Sequence, residues 1–406
     1  MLFVLLFLGL QQEKSKQHLF FPMKRFTASI LPTVVCLLFL SPVFVLGRNS
    51  QGKEKSNGSS LAQRRLSDIV AKEQRFFAVA SGKQAMNEKE LTRKIQDLVA
   101  DYESYLADNP KDLTAFILYG KFLRRVDQPG PATGVFLKAE KLDPDVAVIK
   151  QQIANYLAEE GRIAEALPYL LRAVELSPKT GLYHHQLGSF LFLFREELIR
   201  LGITTQSSND RNMAIAFREA AKLEPNNFEY QLRYGQSYFD VVNPDWVEAL
   251  RVWNELSGTG NHSAEEAEYL LLCKARVLME LDRRDEAKTL IDRVRSPVMG
   301  ATKRRLLDAL LAPPEKSTDN LPPTLDEAKP VKDKEARRKR PAADELFFDE
   351  ELRNLREIAE RLEEEKLLRD LRVDAIRATY DEKGKVRMSL RGLAEVARPG
   401  EIGRNL

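Results

Sequence analysis

Cysteine and histidine are scarce in this 406-residue chain, with two of the first and four of the second. Cys36 lies in an apolar run and Cys273 in a stretch with helical spacing, so no internal disulfide is expected and stability must come from packing. His184 and His185 are sequence neighbours, and residues at i and i+1 leave a helix on different faces, which rules them out as a metal pair. The sequence has no His-Glu-x-x-His motif, no haem-attachment motif and no Walker loop. The run Ser257-Gly258-Thr259-Gly260-Asn261 is glycine-bearing, but no strand precedes it and it reads as a turn rather than a phosphate cradle. No nucleophile, base and orienting group can be assembled from the residues present, so an enzyme is not expected, and neither is a cofactor, a metal or a small-molecule substrate. A net charge of +3 lacks the concentrated basic face of a nucleic-acid-binding body, and no nucleic-acid partner is expected.

What the chain does have is a repeat. Gly120, Ala154 and Gly188 are spaced by 34 residues, and so are Pro110, Pro144 and Pro178. Each small residue sits in an apolar frame, Phe116, Tyr119, Gly120, Leu123 in one unit and His184, Leu187, Gly188, Leu191 in another, with the i, i+3, i+4, i+7 offsets of one helix face. A second frame follows in each unit: Ala132, Phe136, Ala139, Pro144, then Ala166, Leu170, Ala173, Pro178, then Met213, Phe217, Ala220, Pro225. This is a second helix ended by proline, which lacks the donor a helix interior needs.

At these residues the chain resembles the tetratricopeptide repeat family, whose pattern is an apolar residue, Leu-Gly, an aromatic, then Ala, an aromatic and Pro over 34 residues. The resemblance implies an all-α fold, a right-handed superhelical solenoid of antiparallel helix pairs. The small residues let the two helices of a hairpin approach, and the aromatics fill the space between them. No hairpin buries its apolar face alone, so several must stack. The solenoid is expected over residues 61–311 and loosens outward. The third unit has 25 residues from Gly188 to Met213 where the first two have 12 between equivalent positions, so about 13 residues near Arg195 to Arg211 are inserted. The fourth unit (Tyr234, Gly235, Tyr238, Ala249, Trp253) carries extra turn residues, with Asn243 and Pro244 reading as a helix start. The fifth (Ala275, Leu278, Ala287, Ile291) opens on a capping box of Ser263 and Glu266. Leu306, Leu307, Leu310 and Leu311 are expected to seal its end.

Residues 1–47 read as a signal peptide or N-terminal membrane anchor. Lys24 and Arg25 precede an uncharged run from Phe26 to Leu46, and translation is expected to start at Met23. Cleavage after Gly47 gives a free body, and retention of residues 26–46 gives a membrane-bound one. In either case the repeats are exported, to the periplasm or the extracytoplasmic face of the membrane. Residues 48–60 form a flexible tether. After the solenoid comes a charged, proline-rich linker, residues 312–343, whose run Lys332, Lys334, Arg337, Arg338, Lys339, Arg340 is mostly basic. An amphipathic helix is expected over 344–380, carried by Phe348, Leu352, Leu355, Ile358 and Leu362 and then by Leu367, Leu368 and Leu371, followed by a tail of uncertain order over 381–406 with room for a short strand at Val386 to Leu390.

The family resemblance implies that the first helix of each hairpin lines a concave groove for a peptide or protein. The polar residues at the corresponding positions are Lys121, Arg124, Gln151, Asn155, His185, Ser189, Gln236 and Arg276. Lys121, Arg124 and Asn155 together suit a carboxylate. The later positions Leu182, Phe192, Leu232 and Phe239 are apolar, so the family's full carboxylate clamp is not reproduced. The function expected is a non-catalytic protein-interaction scaffold, exported and engaged in envelope complex assembly. The alternatives are a regulatory subunit of an envelope enzyme and an RNA-associated protein using the basic linker.

Overall fold

The computed structural model describes residues 60–81, 86–260, 262–311, 355–365, 367 and 371–390. The chain divides into two units, Met1–Leu46 and Gly47–Leu406. The signal or anchor segment, the Met23 start, nearly all of the tether and the basic linker lie outside the described residues, and everything below concerns the second unit.

That unit is built of antiparallel helix pairs. Helices α1 (Leu61–Ala80) and α2 (Glu88–Asp108) form the first pair. The repeats recognised in the sequence follow as α3 (Leu113–Arg125) with α4 (Pro129–Leu142), α5 (Ala147–Glu159) with α6 (Ile163–Leu176), and α7 (Gly181–Leu193) with α9 (Gln206–Leu223). Two looser pairs complete the stack, α10 (Phe228–Ser237) with α11 (Trp246–Gly258), and α12 (Ala264–Glu280) with α13 (Arg284–Asp292). Helix α14 (Gly300–Leu311) covers the last pair. It does so with Leu310, whereas Leu311 is 76% exposed and takes no part in the seal.

Local chemistry sets the ends. Helices α2, α4, α6 and α9 each stop two residues before Pro110, Pro144, Pro178 and Pro225. At the starts, Ser60 and Ser263 close capping boxes with Gln63 and Glu266. The start of α11 falls at Asp245, not at Asn243: the Asp245 carboxylate accepts from Glu248 N at 2.9 Å, while Asn243 and Pro244 stay in the preceding turn.

The packing rule inside a hairpin is an aromatic ring lying on a glycine. A Cβ at Gly120 would sit 2.6 Å from the Phe136 ring, one at Gly188 2.8 Å from Phe217, and one at Gly235 2.9 Å from Trp253. All three rings are fully buried. Gly120→Leu is therefore expected to destabilise the unit by about 1–3 kcal/mol through overpacking. Chemical denaturation reads this, and Phe136→Leu in the same chain should recover part of the loss by making room.

The inserted residues of the third repeat form the short helix α8 (Arg195–Arg200), a turn through Gly202 at φ +73, and an N-terminal extension of α9, which runs 18 residues where α6 runs 14. Thr205 caps this extension by accepting from Ser208 N at 3.2 Å.

The C-terminal segment departs from the helix expected over 344–380. Among the described residues, helix α15 runs from Leu355 to Glu364, and Ile376–Tyr380 is a strand, β1, paired antiparallel with β2 (Val386–Leu390). The helical spacing read through Leu367, Leu368 and Leu371 gives way to a period of two: Ile376 and Ala378 are buried while Arg377 and Thr379 are exposed. The turn between the strands is held by Asp381, whose Oδ1 accepts from Lys383 N and Lys385 N, both at 2.8 Å. Residues 344–354 and 391–406 lie outside the described residues.

Candidate partner-binding groove

The first helices α3, α5, α7, α10 and α12 carry equivalent positions one hairpin apart, so their side chains fall into rows. Lys121, Asn155, Ser189, Gln236 and Arg276 make one row. Arg124, Ala158, Phe192, Phe239 and Met279 make a second beside it, with Phe239 in the turn just after α10. The first row is polar throughout, and the second turns apolar after Arg124.

The structure treats the eight polar candidates unequally. Lys121 is half-buried and has no carboxylate partner among the described residues. Burial holds its ammonium pKa below the usual lysine range. Arg124 is not available in the same way, because its guanidinium grips Glu159 of the next hairpin through two bonds of 2.5 and 2.6 Å. Arg276 is half-buried, with its guanidinium 4.2 Å over the Phe239 ring.

The other five are a correction to the groove reading. Gln151, Asn155, His185, Ser189 and Gln236 are all buried. His185 stacks on Tyr230 of the next hairpin at 4.6 Å and meets the edge of Phe217 at 5.8 Å. Burial and the nearby Arg233 push its imidazole pKa down to about 3, so it is neutral at physiological pH. Gln236 donates to the Tyr269 hydroxyl at 2.9 Å, again across a joint. His185 and Gln236 hold one first helix to the next, and repeat position alone could not reveal it: it says where a side chain points but not how near the following helix lies. Asn155 is the exception in one respect. Its Oδ1 is buried without a hydrogen-bond partner, a costly state for an amide oxygen.

Repeat pattern also missed a buried charge cluster at the joint between the α7–α9 and α10–α11 pairs. Asp210 accepts from Arg195 at 3.1 Å, from Gln206 at 2.9 Å and from Val242 N at 3.0 Å. Arg233 pairs with Asp240 at 2.8 Å, between the faces of Phe192 and Phe217 at 4.4 and 4.2 Å. The only signal for it in the sequence is the insertion itself, which supplies Arg195.

Away from the first-helix rows, a cavity of about 640 Å³ is lined by Leu106, Phe116, Tyr119, Val135, Lys138 and Leu371, among others. Among the described residues, no group of His, Cys, Asp or Glu is placed to hold a metal ion, and no helix is long and apolar enough to cross a membrane.

Hairpins repeating at 34 residues, with an aromatic of the second helix seated on a glycine of the first, decide the architecture. The fold is a tetratricopeptide-repeat solenoid. No family model matches the chain, and no curated protein matches it. Among solved structures, YrrB, described as a TPR protein with an unusual peptide-binding site, is 15% identical with a TM-score of 0.41, over 51% of this chain and 97% of its own. PilF of Pseudomonas aeruginosa is 16% identical with a TM-score of 0.40, over 61% of this chain and 99% of its own. MamA is 13% identical with a TM-score of 0.31, over 53% of this chain and 96% of its own.

Proposed function

We propose that the chain is a non-catalytic interaction scaffold that holds a peptide or protein segment along its first helices, outside the cytoplasm, as part of an envelope assembly. The observation that carries the binding reading is Lys121: a half-buried cation without a carboxylate among the described residues, at the head of the first row and beside a second row that leads on to the half-buried Phe192, Phe239 and Met279. A partner that places an anionic group at Lys121 and apolar side chains along the second row satisfies both.

The test separates Lys121 from Arg124. Reversing Arg124 would set a carboxylate against Glu159 and disturb the joint, so it cannot report on binding alone. Lys121→Glu is expected to leave the melting temperature nearly unchanged and to weaken partner capture about thirtyfold or more, since breaking a desolvated charge contact costs about 2–5 kcal/mol. A photo-crosslinking residue at the half-buried Met279, in the second row, should trap the partner, and one at Val247, 70% exposed on α11, should not. Equal trapping at both positions, or undiminished capture by Lys121→Glu, removes the groove reading.

The export reading rests on the uncharged run Phe26 to Leu46 behind Lys24 and Arg25. Cell fractionation with an antibody against the repeats is expected to find them outside the cytoplasm. Recovery in the cytoplasmic fraction, protected from added protease in intact cells, refutes export and leaves the binding reading standing.

A further inference from the structure

In a stack of repeats each unit touches only its neighbours, and small rotations at each joint set the curvature. The C-terminal segment breaks that rule here, because it bonds to three successive hairpins at once. Its strands sit on α2 and on the turn between α3 and α4. Thr92 Oγ1 accepts from Ala378 N at 2.9 Å, and Gln96 donates to Ile376 O at 3.0 Å. On the other edge Met388 N donates to Val126 O at 2.8 Å, Gln128 donates back to Met388 O at 2.6 Å, and Arg387 pairs with Asp127 at 2.5 Å.

Upstream, α15 buries Ile358 and Leu362 and reaches the next hairpins with charge. Glu363 pairs with Lys141 of α4 at 2.9 Å, Arg361 with Glu165 of α6 at 3.6 Å, and Glu365 with Arg162 at 2.5 Å. Gln128 and Arg162 are the same repeat position, 34 residues apart. The segment therefore holds the equivalent turn in two successive hairpins and the second helix of the pair before them. The joint between those two hairpins is also tied through the first helices, by Arg124 and Glu159. A joint tied at both its first helices and its turns has little freedom to rotate.

We propose that residues 355–365 and 371–390 form an internal brace that fixes the mutual rotation of the first three hairpins, and with it the spacing of the first helices α3 and α5. Leu355 and Leu362, read in the sequence as one face of an amphipathic helix, belong to a helix that is used within the chain. The proposal holds whatever the first helices bind.

The test uses the full chain. Lys111 and Lys179 are exposed and occupy equivalent turns two hairpins apart. Nitroxide labels at Lys111→Cys and Lys179→Cys, with the buried Cys273 changed to Ser, report the distance distribution across the braced region. In Leu362→Asp with Met388→Asp, which puts a carboxylate at each anchor, this distribution is expected to become at least twice as wide, while a control pair at Asn226→Cys and Thr259→Cys keeps its width. Three results overturn the brace: an unchanged Lys111–Lys179 distribution although amide exchange over 376–390 has risen at least tenfold; equal broadening of the control pair; or full protection of 376–390 in the double variant, which would mean that the named anchors do not hold the segment.

Discussion

Trp253→Ala is expected to cost the solenoid about 3–5 kcal/mol, the range for removing a buried aromatic from a core that cannot collapse around the gap. The ring is fully buried in α11 and meets two neighbours. It lies on Gly235, where an added Cβ would be 2.9 Å away, and it stacks on Phe239 at 5.8 Å, which in turn carries Arg276 at 4.2 Å. Removing it therefore undermines Phe239 in the apolar row as well as the hairpin. Two further variants separate space from polarity. The indole Nε1 is buried without a hydrogen-bond partner, so Trp253→Phe loses volume but also removes an unsatisfied donor, and its cost should be well under half that of alanine. Gly235→Ala should destabilise the native chain and stabilise the Trp253→Ala chain, because the new methyl clashes with the ring in the first and fills its space in the second. Denaturant titration of the four chains closes the cycle. The same sign for Gly235→Ala in both backgrounds would show that the ring does not rest on that glycine.

The contact between Gly235 and Trp253 belongs to the part of the fold that is legible in sequence. A glycine at one repeat position and an aromatic at another are local, periodic signals, and the reason for both is the same close approach. The joints between hairpins are not legible in this way. His185 and Tyr230 stack across one, and Gln236 and Tyr269 bond across another. Nothing in the spacing of 34 tells how tightly one first helix lies on the next, so polar residues assigned to an open groove are buried in it. The C-terminal segment departs from its helical spacing for a different reason. The apolar residues around Leu367 continue a helical spacing, and the alternation that marks β1 spans only Ile376 to Tyr380, too short a run to outweigh it.

Asp240→Ala is expected to cost about 3–5 kcal/mol as well, the loss associated with removing one partner of a buried ion pair. The Arg233 guanidinium is buried between two aromatic faces, and burial already pulls its pKa below the usual arginine range, against the opposing effect of Asp240. Arg195 is close enough to act on Arg233 in the same direction as burial. Four charges thus sit at this joint, Arg195 with Asp210 and Arg233 with Asp240, and deleting Asp240 leaves two guanidiniums against one carboxylate. This also accounts for the insertion in the third repeat. It brings in Arg195 and extends α9 so that Asp210 reaches Val242 N in the next hairpin's turn. Asp240→Asn, which keeps an acceptor but not the charge, should fall between native and alanine. Replacing the pair by apolar groups, Arg233→Met with Asp240→Leu, should cost less than Asp240→Ala alone, since no charge is then left in a place that water does not reach. Thermal and urea unfolding of these chains decides between the two accounts of the joint. If the double variant is the least stable of the set, the pair contributes net stability that packing cannot replace; if Asp240→Ala costs under about 1 kcal/mol, in the range of exposed pairs, the charges at this joint are solvated.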